Sequence, residues 1–230
     1  MKRIIIICCI FLPAILSAQI NKPPRLPGYD NKLLHFGFTV GVSTQDYSFE
    51  RNKVDSVNLY VDSSNPISNF GLQVTIVSDL RLNKYLTLRF LPGLALGQGN
   101  ISFQDWDTQE KTQEQGFELA ALQFPLQLKI RSLRLNNFRP YLLCGLNFMY
   151  DMTGTKQGDS DIFVELKRSN INLELGYGID LYLQYFKFAP EIKLGVGLTD
   201  LLDRDKGMPD YVNSIDRIST YYVMLNFHFE

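Results

Sequence analysis

The side chains able to do chemistry are few and far apart in the chain. They are the two histidines, His35 and His228, the lone cysteine beyond the first ten residues, Cys144, and the charged residues Arg89, Lys129, Glu174, Asp180, Glu191 and Lys193. Two histidines do not make a zinc site, which usually takes at least three ligands from the protein. His35 and His228 therefore read as solvated residues at the rim of the fold rather than as a metal or pH-sensing pair. Asp203, Asp205 and Gly207, and separately Asp159 and Asp161, resemble fragments of calcium loops. The glycine falls one place early and no closing glutamate follows, so they read as solvated loop carboxylates. Gly97 and Gly99 form no phosphate cradle, because a strand pattern surrounds them. Nucleophile signatures such as G-x-S-x-G are absent. No catalytic residue, metal ligand or cofactor is assigned.

The charged residues gain meaning from the elements that must carry them. Between Asn170 and Leu183, the positions Ile171, Leu173, Leu175, Tyr177, Ile179, Leu181 and Leu183 share one parity, and Asn172, Glu174, Gly176, Gly178, Asp180 and Tyr182 the other. This period of two outlasts the roughly five or six residues of a common strand. One face is apolar throughout, and the other is small and polar with two carboxylates. A narrow polar interior and a lipid-facing exterior produce that pattern.

Seven further alternating segments flank it. Phe36 to Val42, Phe70 to Ile76, Leu86 to Leu96, Leu122 to Ile130, Leu142 to Tyr150, Phe188 to Leu198 and Tyr221 to Phe229 each place large apolar residues on one parity. Long polar connections, Glu50 to Pro66, Gln104 to Gly116, Gly154 to Leu166 and Leu202 to Asp216, follow the odd segments. Short turns near Asn83, Asn136–Asn137 and Tyr185 follow the even ones. The expectation is an all-β fold, an eight-stranded antiparallel transmembrane β-barrel of the outer-membrane type, with short periplasmic turns and long outer loops. Phe36, Tyr85, Phe138, Phe186, Phe188, Phe227 and Phe229 map to the short-turn ends, where a periplasmic aromatic girdle belongs. A secreted lipocalin-like barrel also alternates, with apolar residues inside. Its water-facing side would be dense in lysine and glutamate, whereas this polar face is mostly Gly, Ala, Ser, Thr and Gln.

The start of the chain agrees. Lys2 and Arg3 precede the apolar run Ile4 to Leu16 and then Ser17-Ala18, the layout of a secretory signal peptide at residues 1–18. Cys8 and Cys9 lie within it, so Cys144 has no disulfide partner and reads as a small lipid-facing hydrophobe. Residues 19–32, with Pro23, Pro24 and Pro27, should form an extended periplasmic leader with no fold of its own, and residues 33–230 one barrel domain. A formal net charge of -1 leaves no electrostatic footprint for nucleic acid. The expected partner is outer-membrane lipid, and no small-molecule substrate is evident.

Eight strands leave a bore just wide enough to be filled by side chains. Arg89, Lys129, Glu174, Asp180, Glu191 and Lys193 all take the inward parity, and in so narrow a space they read as a structural network rather than an ion path. A turn centred on Tyr185 and Phe186 would set Asp180 opposite Glu191, with a basic residue beside them.

Five runs carry a family resemblance. His35 to Gly41, Val77-Ser78-Asp79-Leu80-Arg81-Leu82, Leu88-Arg89-Phe90-Leu91-Pro92-Gly93, Arg134-Leu135-Asn136-Asn137 and Tyr185-Phe186-Lys187-Phe188-Ala189-Pro190-Glu191-Ile192-Lys193 resemble the PorT/SprT-like outer-membrane proteins of Bacteroidetes. The resemblance implies a non-enzymatic component of the type IX secretion and gliding-motility machinery, needed for export of cargo with C-terminal secretion signals. Other components of that machinery are the implied partners. The alternative is an outer-membrane enzyme, a protease or lipid-modifying protein, with an acid/base site at the outer rim.

Overall fold

The computed structural model describes residues 24–51, 59–62, 70–105, 111–153, 164–207 and 215–230. The strands are β1 (Leu34–Arg51), β2 (Leu59–Asp62), β3 (Phe70–Arg81), β4 (Leu86–Phe90), β5 (Gly93–Asp105), β6 (Lys111–Arg131), β7 (Phe138–Asp151), β8 (Val164–Leu166), β9 (Ser169–Tyr182), β10 (Lys187–Gly197), β11 (Leu202–Gly207) and β12 (Ile215–Phe229). Ten of them form one antiparallel sheet, in the order β1-β12-β10-β9-β7-β6-β4-β3-β5-β2, and β8 and β11 pair separately. The first strand has a neighbour on each side: Val40 lies opposite Phe227 of β12 and opposite Val74 of β3.

The strand count differs from the expected eight, for local reasons. The segment Leu86 to Leu96 is two strands, β4 and β5, broken at Leu91-Pro92. Proline has no N–H to give a ladder. The break is bridged instead by Ile76 N–H to Pro92 O (2.9 Å) and Leu91 N–H to Pro125 O (3.0 Å). Both pieces pair with β3 on one side and β6 on the other. The expected long loops are also partly strand. β2 pairs with the distal end of β5, β5 and β6 extend through Gln104, Asp105 and Lys111 to Gly116, and β8 pairs with β11.

Burial runs opposite to that of a soluble sheet. In β10, Ile192 and Leu194 are about half exposed while Glu191 and Lys193 are 1% exposed. The same alternation fills β3, where Gln73, Thr75 and Asp79 are buried and Leu72, Val74 and Ile76 are exposed. Among the largest fully buried side chains are Arg89, Lys129, Lys193, His228, Gln123, Gln127 and Glu174. A lipocalin-like barrel would do the reverse, and this burial overturns it. An apolar exterior around a polar interior needs lipid as its solvent. No helix among the described residues is long and apolar enough to cross a membrane.

The short turns lie at the end that holds Glu230. Asn83 Oδ1 accepts the N–H groups of Tyr85 and Leu86 at 2.7 and 2.8 Å. Asn136 closes the next turn at φ 56°, a left-handed conformation that asparagine tolerates. Leu183 N–H to Phe186 O (3.0 Å) closes the third. At this end Phe38, Phe188 and Phe229 pack ring on ring, with centroids 5.0 and 5.3 Å apart.

Candidate functional site: a buried charge network and its cap

The network starts from a hairpin. The Asn83 turn puts Asp79 opposite Arg89 across the β3–β4 ladder, both on the buried parity. Arg89 grips Asp79 through two hydrogen bonds, Nε to Oδ1 at 2.6 Å and Nη2 to Oδ2 at 2.8 Å. Such a forked pair is among the stronger charge-assisted contacts. The same guanidinium reaches Glu191 at 3.4 Å and Glu230 at 3.1 Å. Lys187 donates to Glu230 at 2.6 Å, and Lys129 to Asp180 at 2.7 Å. His228 Nε2 lies 3.1 Å from Glu191, and its Nδ1 is 2.6 Å from the Thr39 hydroxyl.

A second layer centres on Glu174. Gln127 (2.6 Å), Asn147 (3.0 Å), Tyr222 (2.6 Å) and Lys193 (3.0 Å) all donate to its carboxylate. Two glycines make these layers possible. Gly195 lies opposite Tyr222, and Gly178 opposite Tyr141. A Cβ at either would collide with the tyrosine ring. With no side chain there, each ring lies across its glycine, and each hydroxyl reaches a carboxylate: Tyr222 to Glu174, and Tyr141 to Glu191 at 2.9 Å. The Lys129 ammonium sits 3.7 Å from the centre of the Tyr141 ring, a cation–π contact.

The end nearest Glu230 is covered by the segment preceding β1, which was expected to have no fold. Tyr29–Asn31 forms a 3-10 turn. Asp30 pairs with Arg139 (2.9 Å) and Arg134 (3.2 Å). Burial pushes the Asp30 carboxyl up, but Arg139 and Arg134 outweigh it and hold the group below the usual carboxylate range. Tyr29 stacks on His35 with centroids 4.1 Å apart and donates its hydroxyl to Glu230 at 2.8 Å. Arg25 N–H donates to Asn137 Oδ1 at 2.8 Å, and Arg134 donates to the Arg25 carbonyl. A proline-rich stretch has no periodicity to signal this order, which comes from side chains more than a hundred positions away. The expected signal peptide, residues 1–18, and the leader up to residue 23 lie outside the described residues.

Arg89, Lys129, Glu174, Asp180, Glu191 and Lys193 are all buried, and each has an ionic partner within 4 Å. Asp180 is not opposite Glu191. The turn centres one position earlier, over Leu183–Phe186, so Glu191 faces Gly178 and Asp180 falls two residues away from it along the strand. On its other side Asp180 faces Arg139. The histidines are not solvated rim groups either. His228 is fully buried beside Glu191, and His35 is buried under Tyr29, opposite Asp79. Asp203, Asp205 and Gly207 belong to a strand, β11, rather than a loop, while Asp159 and Asp161 lie outside the described residues. Among the described residues no three His, Cys, Asp or Glu side chains converge as a metal site.

Sequence reasoning missed Lys187, Arg139, Tyr141, Tyr222 and Glu230 as members. Lys187 and Arg139 share the parity of known inward residues on their strands, and that signal was available. Glu230 is the carboxylate that ties Lys187, Arg89 and Tyr29 together.

A sheet with an apolar exposed face and a buried, ion-paired opposite face defines an integral outer-membrane protein of the β-barrel class. The chain belongs to the outer membrane protein beta-barrel domain family, which matches residues 17–203. No curated protein sequence matches it. Among solved structures it is similar to Neisserial surface protein A (12% identity over 86% of this chain and 98% of that one, TM-score 0.42). It is also similar to OprG of Pseudomonas aeruginosa (14%, 85% and 91%, 0.41) and to the N-terminal beta-barrel domain of Pseudomonas aeruginosa OprF (11%, 83% and 97%, 0.34).

Proposed function

We propose that the sheet closes as a barrel of eight strand positions, with both termini in the periplasm, and that it serves as a non-enzymatic component of a type IX secretion and gliding-motility apparatus. Three facts support closure: β1 pairs with both β3 and β12, β4 and β5 share one place between β3 and β6, and β2 touches only the distal half of β5. The short turns at the Glu230 end support a periplasmic placement of that end, because outer-membrane barrels keep their short turns in the periplasm.

One observation carries the functional reading. The five runs that resemble the PorT/SprT-like proteins supply part of the charged layer and some of the residues that hold its cap: His35, Asp79, Arg89, Arg134 with Asn137, and Lys187 with Glu191 and Lys193. The resemblance is thus concentrated on one built surface, where the leader is latched to the short turns. A protein whose central charges, Arg89, Lys129, Glu174, Asp180, Glu191 and Lys193, are paired with one another or their neighbours acts through its surfaces, and this surface faces the side where export machinery would dock.

Deleting the gene is expected to strand cargo with C-terminal secretion signals in the periplasm while general outer-membrane permeability stays near normal. Replacing the turn Asn136–Arg139 with an unrelated turn that still permits insertion should reproduce the defect, and rebuilding residues 106–110 should not. Normal secretion in the deletion strain would refute the role.

A further inference from the structure

Beyond the Glu174 layer, away from Glu230, the interior changes character. The buried residues there are Ala95, Ala121 and Met149, which pack as a cluster with Leu119 against it. Tyr47 and Met224 are buried in the same region. A cavity of about 70 Å³ opens here, lined by Tyr47, Leu119, Ala121, Met149 and Tyr222. A second, of about 30 Å³, shares Gln45, Tyr47, Leu119 and Met149 with it and reaches Ala95 and Met224. Between this space and the network lie Gln123 and Asn147, both fully buried, with Gln123 Oε1 and Asn147 Oδ1 free of any hydrogen-bond partner.

The walls say what fits. A single water needs roughly 10–15 Å³ and two to four polar partners. This space is several times larger, and the polar side chains that line it, Gln45, Asn170, Thr220 and Tyr222, are hydrogen-bonded within the protein. Tyr222 donates to Glu174, and Gln45 donates to the Tyr47 hydroxyl at 3.0 Å. What remains for an occupant is apolar contact on the floor. At the mouth stand Lys167 and Arg168 against one carboxylate, Asp151, a local excess of one positive charge. The backbone fixes this mouth through Asp151 N–H to Arg168 O (2.7 Å) and Lys167 N–H to Leu201 O (2.8 Å). A blind apolar pocket with a basic rim suits a molecule that is apolar at one end and anionic at the other.

We propose that this cavity binds a single-chain amphiphile with a short apolar tail and a carboxylate head, the tail against Ala121 and Met149 and the head at Lys167 and Arg168. The test uses the full chain in zwitterionic lipid nanodiscs with its methionine methyl groups carbon-13 labelled, titrated with octanoate and, separately, with octanol. Met149 lines both cavities, whereas Met152 is half exposed and reports partitioning into the surroundings. The Met149 methyl signal should shift saturably with octanoate while Met152 does not follow. Octanol, lacking the charge, should bind about tenfold more weakly, the worth of one charge-assisted hydrogen bond. Replacing both exposed cations (Lys167→Ser with Arg168→Ser) should reduce octanoate to the octanol level. Ala121→Phe, which fills the floor, should abolish the response. A non-saturable Met149 shift, parallel shifts at Met149 and Met152, or octanol binding as tightly as octanoate would each overturn the proposal. The surface double variant leaves the interior untouched, so the proposal remains testable if Ala121→Phe fails to insert.

Discussion

At the Glu230 end of the interior, one guanidinium touches three carboxylates, Asp79, Glu191 and Glu230, whereas at the far end the same inward parity carries Ala95, Ala121 and Met149 around open space. Both ends answer the same constraint, that a charge buried in the interior needs a partner. The charged end meets it with mutual pairing and a lid, and the apolar end with residues that need no partner. The two solutions differ in tolerance. Removing one member of a paired set exposes its partners' charges to a dry interior, while trimming an apolar wall beside an existing cavity changes little.

The largest expected effect follows from that asymmetry. Arg89→Met leaves three carboxylates short of their cation and should cost roughly 3–5 kcal/mol, the usual loss on breaking a buried pair. Met149→Leu at the far end keeps volume and should cost less than about 1.5 kcal/mol. Urea unfolding of both variants in lipid bilayers measures the difference; equal losses would erase the contrast between the two ends.

A smaller loss is expected where a glycine makes room for a ring. Gly178→Val puts a branched side chain where the Tyr141 ring lies and should destabilise by about 1–3 kcal/mol through overpacking. Adding Tyr141→Phe to it should recover only part of the loss, because the added Cβ meets the ring carbon Cζ as closely as the hydroxyl oxygen. Full recovery would mean that the collision was with the hydroxyl alone.

These positions also show how much was legible in the sequence. The period of two was enough to place Arg89, Lys129, Glu174, Asp180, Glu191 and Lys193 on one face, because a strand has only two faces and the apolar residues claimed the other. Partner choice was less legible, since it depends on where each turn is centred. Moving the β9–β10 turn by one residue shifts the register by two, so Asp180 met Lys129 and Arg139 rather than a position across from Glu191. Pro92 broke a strand without disturbing its parity, because flanking ladders on β3 and β6 held both pieces in phase. The cap was illegible. Pro24 to Asn31 has no repeat, and its order depends on Arg134, Arg139 and Glu230, which sequence distance hides.

The cap gives the next prediction, with a defined direction in pH. A carboxylate held below its ordinary value stabilises docking fully above the unfolded value, near 4, and the contribution is lost as pH falls through the folded value. Docking should therefore persist from neutral pH down to about 4 and fail below it. A Cβ at Gly28 meets nothing within 4 Å, and Leu133 is exposed, so spin labels at these positions, with Cys144→Ser, report the separation. Asp30→Asn should loosen the cap at neutral pH by about 1–2 kcal/mol. A separation unchanged by both acid and Asp30→Asn would show that Tyr29 and the Arg25 backbone contacts hold the segment without Asp30.

The smallest expected effect is on conduction. If the charged layer and its cap were the only barrier, removing residues 24–32 would open a path along the axis. Above that layer, however, Gln123, Gln127, Asn147, Asn172 and Glu174 are all fully buried, and Gln127 and Asn147 are bonded to Glu174, so a second septum stands independently of the cap. Closed as proposed, with eight strand positions, the sheet would leave room for these side chains and little else. Planar bilayer recordings should therefore show no steady ohmic step in the intact protein and none after the cap is removed. Steps appearing only in the capless protein would make the segment a gate and the Glu174 layer permeable, and steps in the intact protein would turn the paired charges into an ion path.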